Sequence, residues 1–202
     1  MANFSQDEWN SLLAPYLAER AEGELLAVLE KYMSLLLRWN ARMNLTAVRE
    51  PGQIVARHFG ESLFAARYVP RGTSSLLDHG SGAGFPGLPI ALARPEISVT
   101  LAESQAKKAT FLREAVRELR IASVQVHAAR TETLPADLRF DVVTMRAVDN
   151  AAEAYPAAMA RVSAGGILLA LEGAEPSRNS VPAADEIPIP NSAGFLRIYP
   201  TR

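Results

Sequence analysis

The spacing of apolar residues changes character once along this chain. Up to about residue 69 they recur at three and four. Leu25, Leu29, Tyr32, Leu36 and Trp39 form one stripe, and Leu26, Met33 and Leu37 widen it. That spacing predicts amphipathic helix with one face in a core. Pro51-Gly52 breaks the pattern, and a further helix is predicted over 53–68. From Arg71 onward the apolar residues come in short runs separated by helical stretches. Strands are predicted at 74–78, 99–103, 124–127, 140–145 and 167–171, with helices at 106–119 and 151–162. Strands alternating with helices give an α/β fold with a doubly wound, mostly parallel sheet. Gly165-Gly166 predicts the turn into the fifth strand. The segment 173–193, rich in Pro, Ser and Asn, predicts loop, and 195–199 a short last strand at an edge or antiparallel. The expected organisation is an N-terminal helical extension, 1–70, followed by the α/β domain, 71–202.

Composition narrows the chemistry. The chain has 202 residues, enough for one domain and an extension. It has no cysteine, which removes disulfides, thiolate metal sites and cysteine nucleophiles. His58, His79 and His127 are scattered without metal-ligand spacing, so no metal is expected. The first residues are acidic and lack an apolar leader, and no apolar run reaches membrane-spanning length. A soluble, cytoplasmic monomer with no membrane partner is expected. The net charge is −1, but it is unevenly spread. Residues 1–35 are acidic. Residues 36–72 carry Arg38, Arg42, Arg49, Arg57, Arg67 and Arg71 against only Glu50 and Glu61, and 104–130 are again basic, with Lys107 and Lys108 near the start. Such segregation makes a phosphate-binding face on a near-neutral protein, with ordinary solvated helix faces as the plainer alternative.

The densest chemical signal runs from Asp78 to Gly87. An apolar run leads into Asp78-His79-Gly80-Ser81-Gly82-Ala83-Gly84-Phe85-Pro86-Gly87, and an apolar helical stretch follows. Strand, tight glycine loop and helix make a place where a ligand approaches bare backbone and the N–H groups of a helix start. Glu103 ends the next apolar run, where a carboxylate accepts both hydroxyls of a ribose. Gly82, Gly84 and Gly87 satisfy G-x-G-x-x-G, the dinucleotide fingerprint. The stretch from Asp78 to Gly84 equally satisfies D-x-G-x-G-x-G, the loop of S-adenosylmethionine (SAM) methyltransferases. Strand C-termini line the ligand crevice of such sheets. Glu103, Glu132 and Arg146 therefore fall on that edge, with Glu132 near an adenine, whereas Asp141 starts its strand and does not. Asn40 and Asn44 share a helix face, although Asn44 or Thr46 can equally cap that helix. His58 is readable as a general base or as a hydrogen-bonded structural histidine.

Taken in order, the strings W-N-x-x-x-N-L-T (Trp39–Thr46), H-F-x-E-S-L (His58–Leu63), D-x-G-S-G-A-G-F-P-G (Asp78–Gly87), K-K-x-x-F-L (Lys107–Leu112), R-x-E (Arg130–Glu132) and R-A (Arg146-Ala147) closely resemble the bacterial ribosomal RNA small subunit methyltransferase G family, also called glucose-inhibited division protein B. The resemblance runs from about residue 25 to 172. It implies a Rossmann-like SAM-dependent methyltransferase that modifies guanine N7 in the 530 loop of 16S rRNA within the small ribosomal subunit. It implies that Gly80, Phe85, Thr131, Glu132 and Arg146 contact SAM, alongside Asp78, Gly82, Gly84 and Glu103. Guanine N7 carries a lone pair and no proton, so positioning is expected to suffice. Arg146, Asn40, Asn44 and His58 are expected to shape the guanine site, and Arg38, Arg42, Lys107 and Lys108 to meet RNA phosphates. Three positions depart from the family pattern: His79 replaces a small aliphatic residue, Glu61 an aspartate and Glu172 a lysine. The chain after Gly173 matches poorly. The residues alone leave two alternatives, a nicotinamide-dependent oxidoreductase and a non-catalytic RNA-binding module.

Overall fold

The computed structural model describes residues 4–146, 151–175 and 183–201. The N-terminal helices are α1 (Gln6–Leu13), α2 (Gly23–Met43), the short α3 (Pro51–Ile54) and α4 (Glu61–Ala66), with a π-helical turn, Val55–Gly60, joining α3 to α4. Ser5 starts α1 with a reciprocal capping box to Glu8. Asn44 ends α2 in the left-handed conformation, φ +46°. Gly60, the last residue of the π-helical turn, has no room for a side chain, since a Cβ there would lie 2.5 Å from the Tyr16 ring.

Seven strands make one sheet: β1 (Ser75–His79), β2 (Ser98–Ala102), β3 (Val124–His127), β4 (Phe140–Arg146), β5 (Val162–Glu172), β6 (Asp185–Pro188) and β7 (Phe195–Pro200). The order is β3-β2-β1-β4-β5-β7-β6. The first five named positions pair in parallel, and β7 pairs antiparallel with both β5 and β6. Helices α5 (Gly87–Ala93), α6 (Ala106–Leu119) and α7 (Ala151–Met159) connect strands. Residues of α2, α4, α5 and α6 share one core with Leu76, Val99 and Val142, and the N-terminal helices belong to that core through Trp9, Leu13, Leu29 and Phe59. On the other face Ala154, Tyr155 and Ala158 of α7 pack on Leu77, Val143 and Leu168. Strands covered on both faces read as continuous apolar runs, which is why β1, β2 and β4 are visible in the sequence.

Two expectations need correction. Residues 185–188, expected as loop, form the edge strand β6. Its sequence, Asp-Glu-Ile-Pro, is polar because an edge is half solvated, so no hydrophobic signal marks it. β7 lies inside the sheet and is antiparallel, one of the two placements expected for it. β5 begins at Val162, before the glycine pair expected to precede it. There the register shifts against β4, Gly165 takes φ +74°, and a Cβ on Gly166 would lie 2.6 Å from the Asp141 carbonyl oxygen. The glycines accommodate an irregularity within the strand.

The strand order reverses between β1 and β4. His79 is in register with Ala102 on one side and Met145 on the other, so the C-termini of β1, β2 and β4 end level. A crevice outside such a reversal is where doubly wound sheets bind ligands.

Candidate active site

The loop after β1 is shaped by backbone that only glycine adopts readily. Gly80, Gly82 and Gly84 have φ of +69°, +57° and +90°. Gly84 also has no room for a side chain: a Cβ would lie 2.5 Å from both Leu88 Cδ1 and Tyr32 Oη. Tyr32 of α2 explains the second contact. Its hydroxyl donates to the Ala83 carbonyl, and its ring stacks on Phe85 at 5.2 Å. The helical extension thus holds the loop down. Gly82 is different, since a Cβ there would meet nothing closer than the Gly80 carbonyl at 3.9 Å. It is half-buried, and the space where a side chain would stand is open, as a ligand cradle requires.

Asp78, expected among the cofactor contacts, does another job. Its side chain is wholly buried, and both carboxylate oxygens are engaged inside the fold. The Gly87 N–H donates to Oδ2 at 3.1 Å and the Thr144 hydroxyl to Oδ1 at 2.8 Å. Burial raises its pKa to about 6. Asp78 therefore clamps the loop between β1, β4 and the start of α5, and presents no group to a ligand.

Glu103 stands at the edge. Its Oε2 accepts from Gly82 N–H at 2.8 Å and its Oε1 from Gln105 N–H at 2.7 Å. Each carboxylate oxygen accepts two hydrogen bonds, so capacity for two ribose hydroxyls is compatible with both contacts. Beyond it, Thr131 opens a 3₁₀ turn after β3, and its hydroxyl pairs with His79 Nδ1 at 2.9 Å. Glu132 is exposed on that turn. The glycine cradle, the Glu103 carboxylate and the Thr131-Glu132 turn share one rim, and this donor set fits a nucleoside. SAM has that chemistry. Phe85 lies slightly deeper, 7% exposed, between the Tyr32 and His58 rings.

On the β4 side the residues form a buried chain. Arg146 donates from Nη1 to His58 Nδ1 at 2.9 Å, and from Nη2 to the Arg57 carbonyl at 2.7 Å and Glu61 Oε2 at 2.9 Å. A guanidinium only donates, so His58 Nδ1 accepts and the ring proton sits on Nε2. That proton goes to Thr46 Oγ1, 2.7 Å away. The Thr46 backbone N–H in turn donates to Asn40 Oδ1 at 2.9 Å. Burial first, then the Arg146 and Arg57 charges, lower the His58 pKa to about 3. His58 is therefore neutral across physiological pH and holds Arg146 rather than acting as a base. Burial raises the Glu61 pKa, against the Arg146 and Arg57 charges.

Sequence reasoning had placed Asn40, Asn44, His58 and Arg146 together. The structure brings Asn40, His58 and Arg146 into this chain. Asn44 is separate: it caps α2, is exposed, and accepts from Arg49 Nη2 at 2.6 Å. Its left-handed backbone accounts for the asparagine without a substrate contact. Asp141 is at the far end of its strand and binds Ser74 and Ser75. Arg38, Arg42 and Lys107 are exposed and Lys108 is half-buried. None of the four makes an ion pair among the described residues. Their helices are neighbours, α2 and α6, tied by Trp39 Nε1–H donating to Glu114 at 3.1 Å. Ala147, the second half of the R-A string, lies outside the described residues. The contributions of Tyr32 and Thr46 were missed. Tyr32 reads as one more member of an apolar stripe, and nothing local announces that its hydroxyl reaches residue 83. No group of His, Asp and Glu among the described residues could hold a metal ion, and no described helix is long and apolar enough to cross a membrane.

A family model described as rRNA small subunit methyltransferase G, GidB, matches residues 25–190. The ribosomal RNA small subunit methyltransferase G of Xanthomonas campestris pv. campestris (strain B100) is 42% identical over 159 residues, 79% of this chain and 74% of that protein. The protein of the same name from Stenotrophomonas maltophilia (strain K279a) is 43% identical over 155 residues, 77% of this chain and 72% of that one. Among solved structures, the chain is similar to a mutant of MtNAS in complex with S-adenosylmethionine, with a TM-score of 0.60 at 13% identity over 98% of this chain and 84% of that one. It is also similar to P. horikoshii TYW2 in complex with MeSAdo, with a TM-score of 0.55 at 15% identity over 71% of this chain and 61% of that one. These two likenesses establish the fold.

Proposed function

We propose, from the premise that this chain belongs to the rRNA small subunit methyltransferase G (GidB) family, that it methylates N7 of a guanine in the 530 loop of 16S rRNA. The protein is a SAM-dependent methyltransferase, and membership removes the oxidoreductase and the non-catalytic module. The observation that supports this reading is that Asn40, His58 and Arg146, each from a string that matches the family, join the glycine loop and Glu103 at the C-terminal ends of β1, β2 and β4. The substrate is the RNA of the small ribosomal subunit, met in the bacterial cytoplasm.

In this reading Gly80, Gly82 and Gly84 cradle SAM, Glu103 holds its ribose, and Thr131 and Glu132 flank its base. When bound, SAM supplies an electrophilic methyl group on a sulfonium. Guanine N7 offers a lone pair and has no proton to lose, so the protein's task is orientation. Arg146, fixed by His58, Glu61 and the Arg57 carbonyl, lies where the two reactants meet. Its charge shapes the electrostatic environment of the acceptor. Asn40 and Thr46 keep His58 in one tautomer.

Three results are expected. Calorimetry should show binding of SAM and of its demethylated product but not of NAD, and Glu103→Ala should weaken SAM binding by about 1–3 kcal/mol, the scale for hydrogen bonds to a charged group. Unchanged affinity would remove Glu103 from the ribose site. Single-turnover transfer should vary little from about pH 6.5 to 8.5, because a histidine held near pKa 3 does not titrate there. His58→Gln should keep a substantial fraction of that rate, and a tenfold rise abolished by the substitution would restore His58 as a base. Neutralising Arg38, Arg42, Lys107 and Lys108 together should weaken RNA binding and flatten its salt dependence while sparing SAM affinity. An unchanged salt slope would make them a solvated face.

A further inference from the structure

A cavity of about 560 Å³ opens beside Arg146, between the start of α4 and the turn joining β6 to β7. Arg57, Glu61, Arg146, Tyr155, Glu172 and Ser192 are among the residues that line it. Its size is that of ordinary small-ligand sites. One of its polar groups is not fully used. Glu61 is 5% exposed, and only its Oε2 accepts a hydrogen bond of normal geometry among the described residues, from Arg146. Ser192, on the facing turn, lies near enough to lower the Glu61 pKa without meeting that geometry. The Tyr155 hydroxyl is buried beside Glu172 and Tyr199, and burial together with these two holds its pKa up.

The cavity therefore carries the Glu61 carboxylate, with acceptor capacity left on Oε1, next to Arg146, the residue that ends β4. A carboxylate takes two adjacent N–H donors bidentately. Among the four RNA bases, guanine presents that pair, N1–H and N2–H₂, with the O6 acceptor alongside. Enzymes that modify a base draw it out of its stack and read its Watson–Crick edge. We infer that this cavity receives the extruded target guanine and that the Glu61 carboxylate selects it by accepting from N1–H and N2–H₂.

The inference rests on the proposed transfer to a guanine of rRNA. It gives Glu61 a second role besides holding Arg146, and the two roles separate experimentally. Small subunits are reconstituted with 16S rRNA carrying either guanine or inosine at the methylated position. Inosine keeps N7, O6 and N1–H but lacks the 2-amino group. Single-turnover transfer from labelled SAM is measured for the wild-type chain and for Glu61→Gln, with SAM affinity and melting temperature recorded for both. Glutamine can keep its carbonyl on Arg146, which turns its amide donors toward the donors of guanine. The wild type should prefer guanine by about 10-fold or more, the scale of a lost hydrogen bond to a charged group. Glu61→Gln should bind SAM normally, transfer to guanine at least 10-fold more slowly, and lose most of the guanine-over-inosine preference. Equal wild-type rates on the two subunits would overturn the inference while leaving the function standing. So would a Glu61→Gln variant that keeps the full preference, because a residue acting only through Arg146 slows both substrates alike. If Glu61→Gln fails to fold, the wild-type comparison decides alone. A wild type that transfers nothing to the guanine subunit would overturn the proposed function, and the inference with it.

Discussion

Arg146→Ala should cost the protein both its activity and part of its fold. The guanidinium satisfies a carboxylate, an imidazole nitrogen and a backbone carbonyl at once, and its side chain is only 14% exposed against 7% for Glu61. Removing it strands the Glu61 charge in a desolvated place. Breaking a buried pair costs about 3–5 kcal/mol, and partial exposure here lowers the expectation to roughly 2–4. The loss should depend on pH. Burial already raises the folded Glu61 pKa above its ordinary value, and without Arg146 it rises further. A carboxyl whose folded pKa is raised carries no penalty below its unfolded pKa, a growing one between the two values, and the full penalty above its folded pKa. The stability gap between the variant and the wild type should therefore be widest at pH 8 and narrow toward pH 5, as read by denaturant unfolding. Methyl transfer should fall by about 100-fold or more at saturating substrates, the effect of misplaced reactants. A variant as stable as the wild type at pH 8 would mean that Glu61 finds water or another donor.

Gly84→Ala should destabilise by about 2–5 kcal/mol, the sum of left-handed strain and overpacking. The strain comes from φ +90° and the overpacking from a Cβ placed 2.5 Å from Tyr32 Oη and Leu88 Cδ1. For a chain of this size that is a melting-temperature drop of roughly 5–20 °C. Gly72 supplies the internal comparison, because it has φ +83° with nothing within 4 Å of a Cβ. Gly72→Ala should show the strain alone, about 1–3 kcal/mol. Equal losses at the two positions would show that Tyr32 and Leu88 yield freely, and that the extension does not brace the loop.

That bracing marks where the sequence stopped being readable. The glycine loop is legible because positive φ and close approach exclude side chains locally. The strands β1, β2 and β4 are legible because burial on both faces leaves continuous apolar runs. Glu103 and Arg146 are legible as sheet-edge residues once the strands are placed. The contacts that tune them are not. Arg146 meets His58 and Glu61 across more than 80 residues, and Tyr32 meets Ala83 across 51. Such pairings are set by how α2 and α4 dock on the sheet. Asp78 misled for a related reason. A carboxylate at a strand end reads as a ligand contact, and only the positions of Thr144 and Gly87 show that its oxygens are consumed inside. Asn44 misled because two asparagines four apart share a face only while the helix continues, and the helix ends on Asn44 itself. β6 is silent because edge strands carry polar residues.

On the proposed function, this chain places one methyl group on one guanine nitrogen of the small ribosomal subunit. The direct test is to incubate the full chain with methyl-labelled SAM and small subunits lacking the modification, then to digest the 16S rRNA and map the labelled nucleotide. Label should appear in a single position of the 530 loop, as N7-methylguanine. Label on an exocyclic nitrogen, label in another segment of the rRNA, or no incorporation at all would contradict that function.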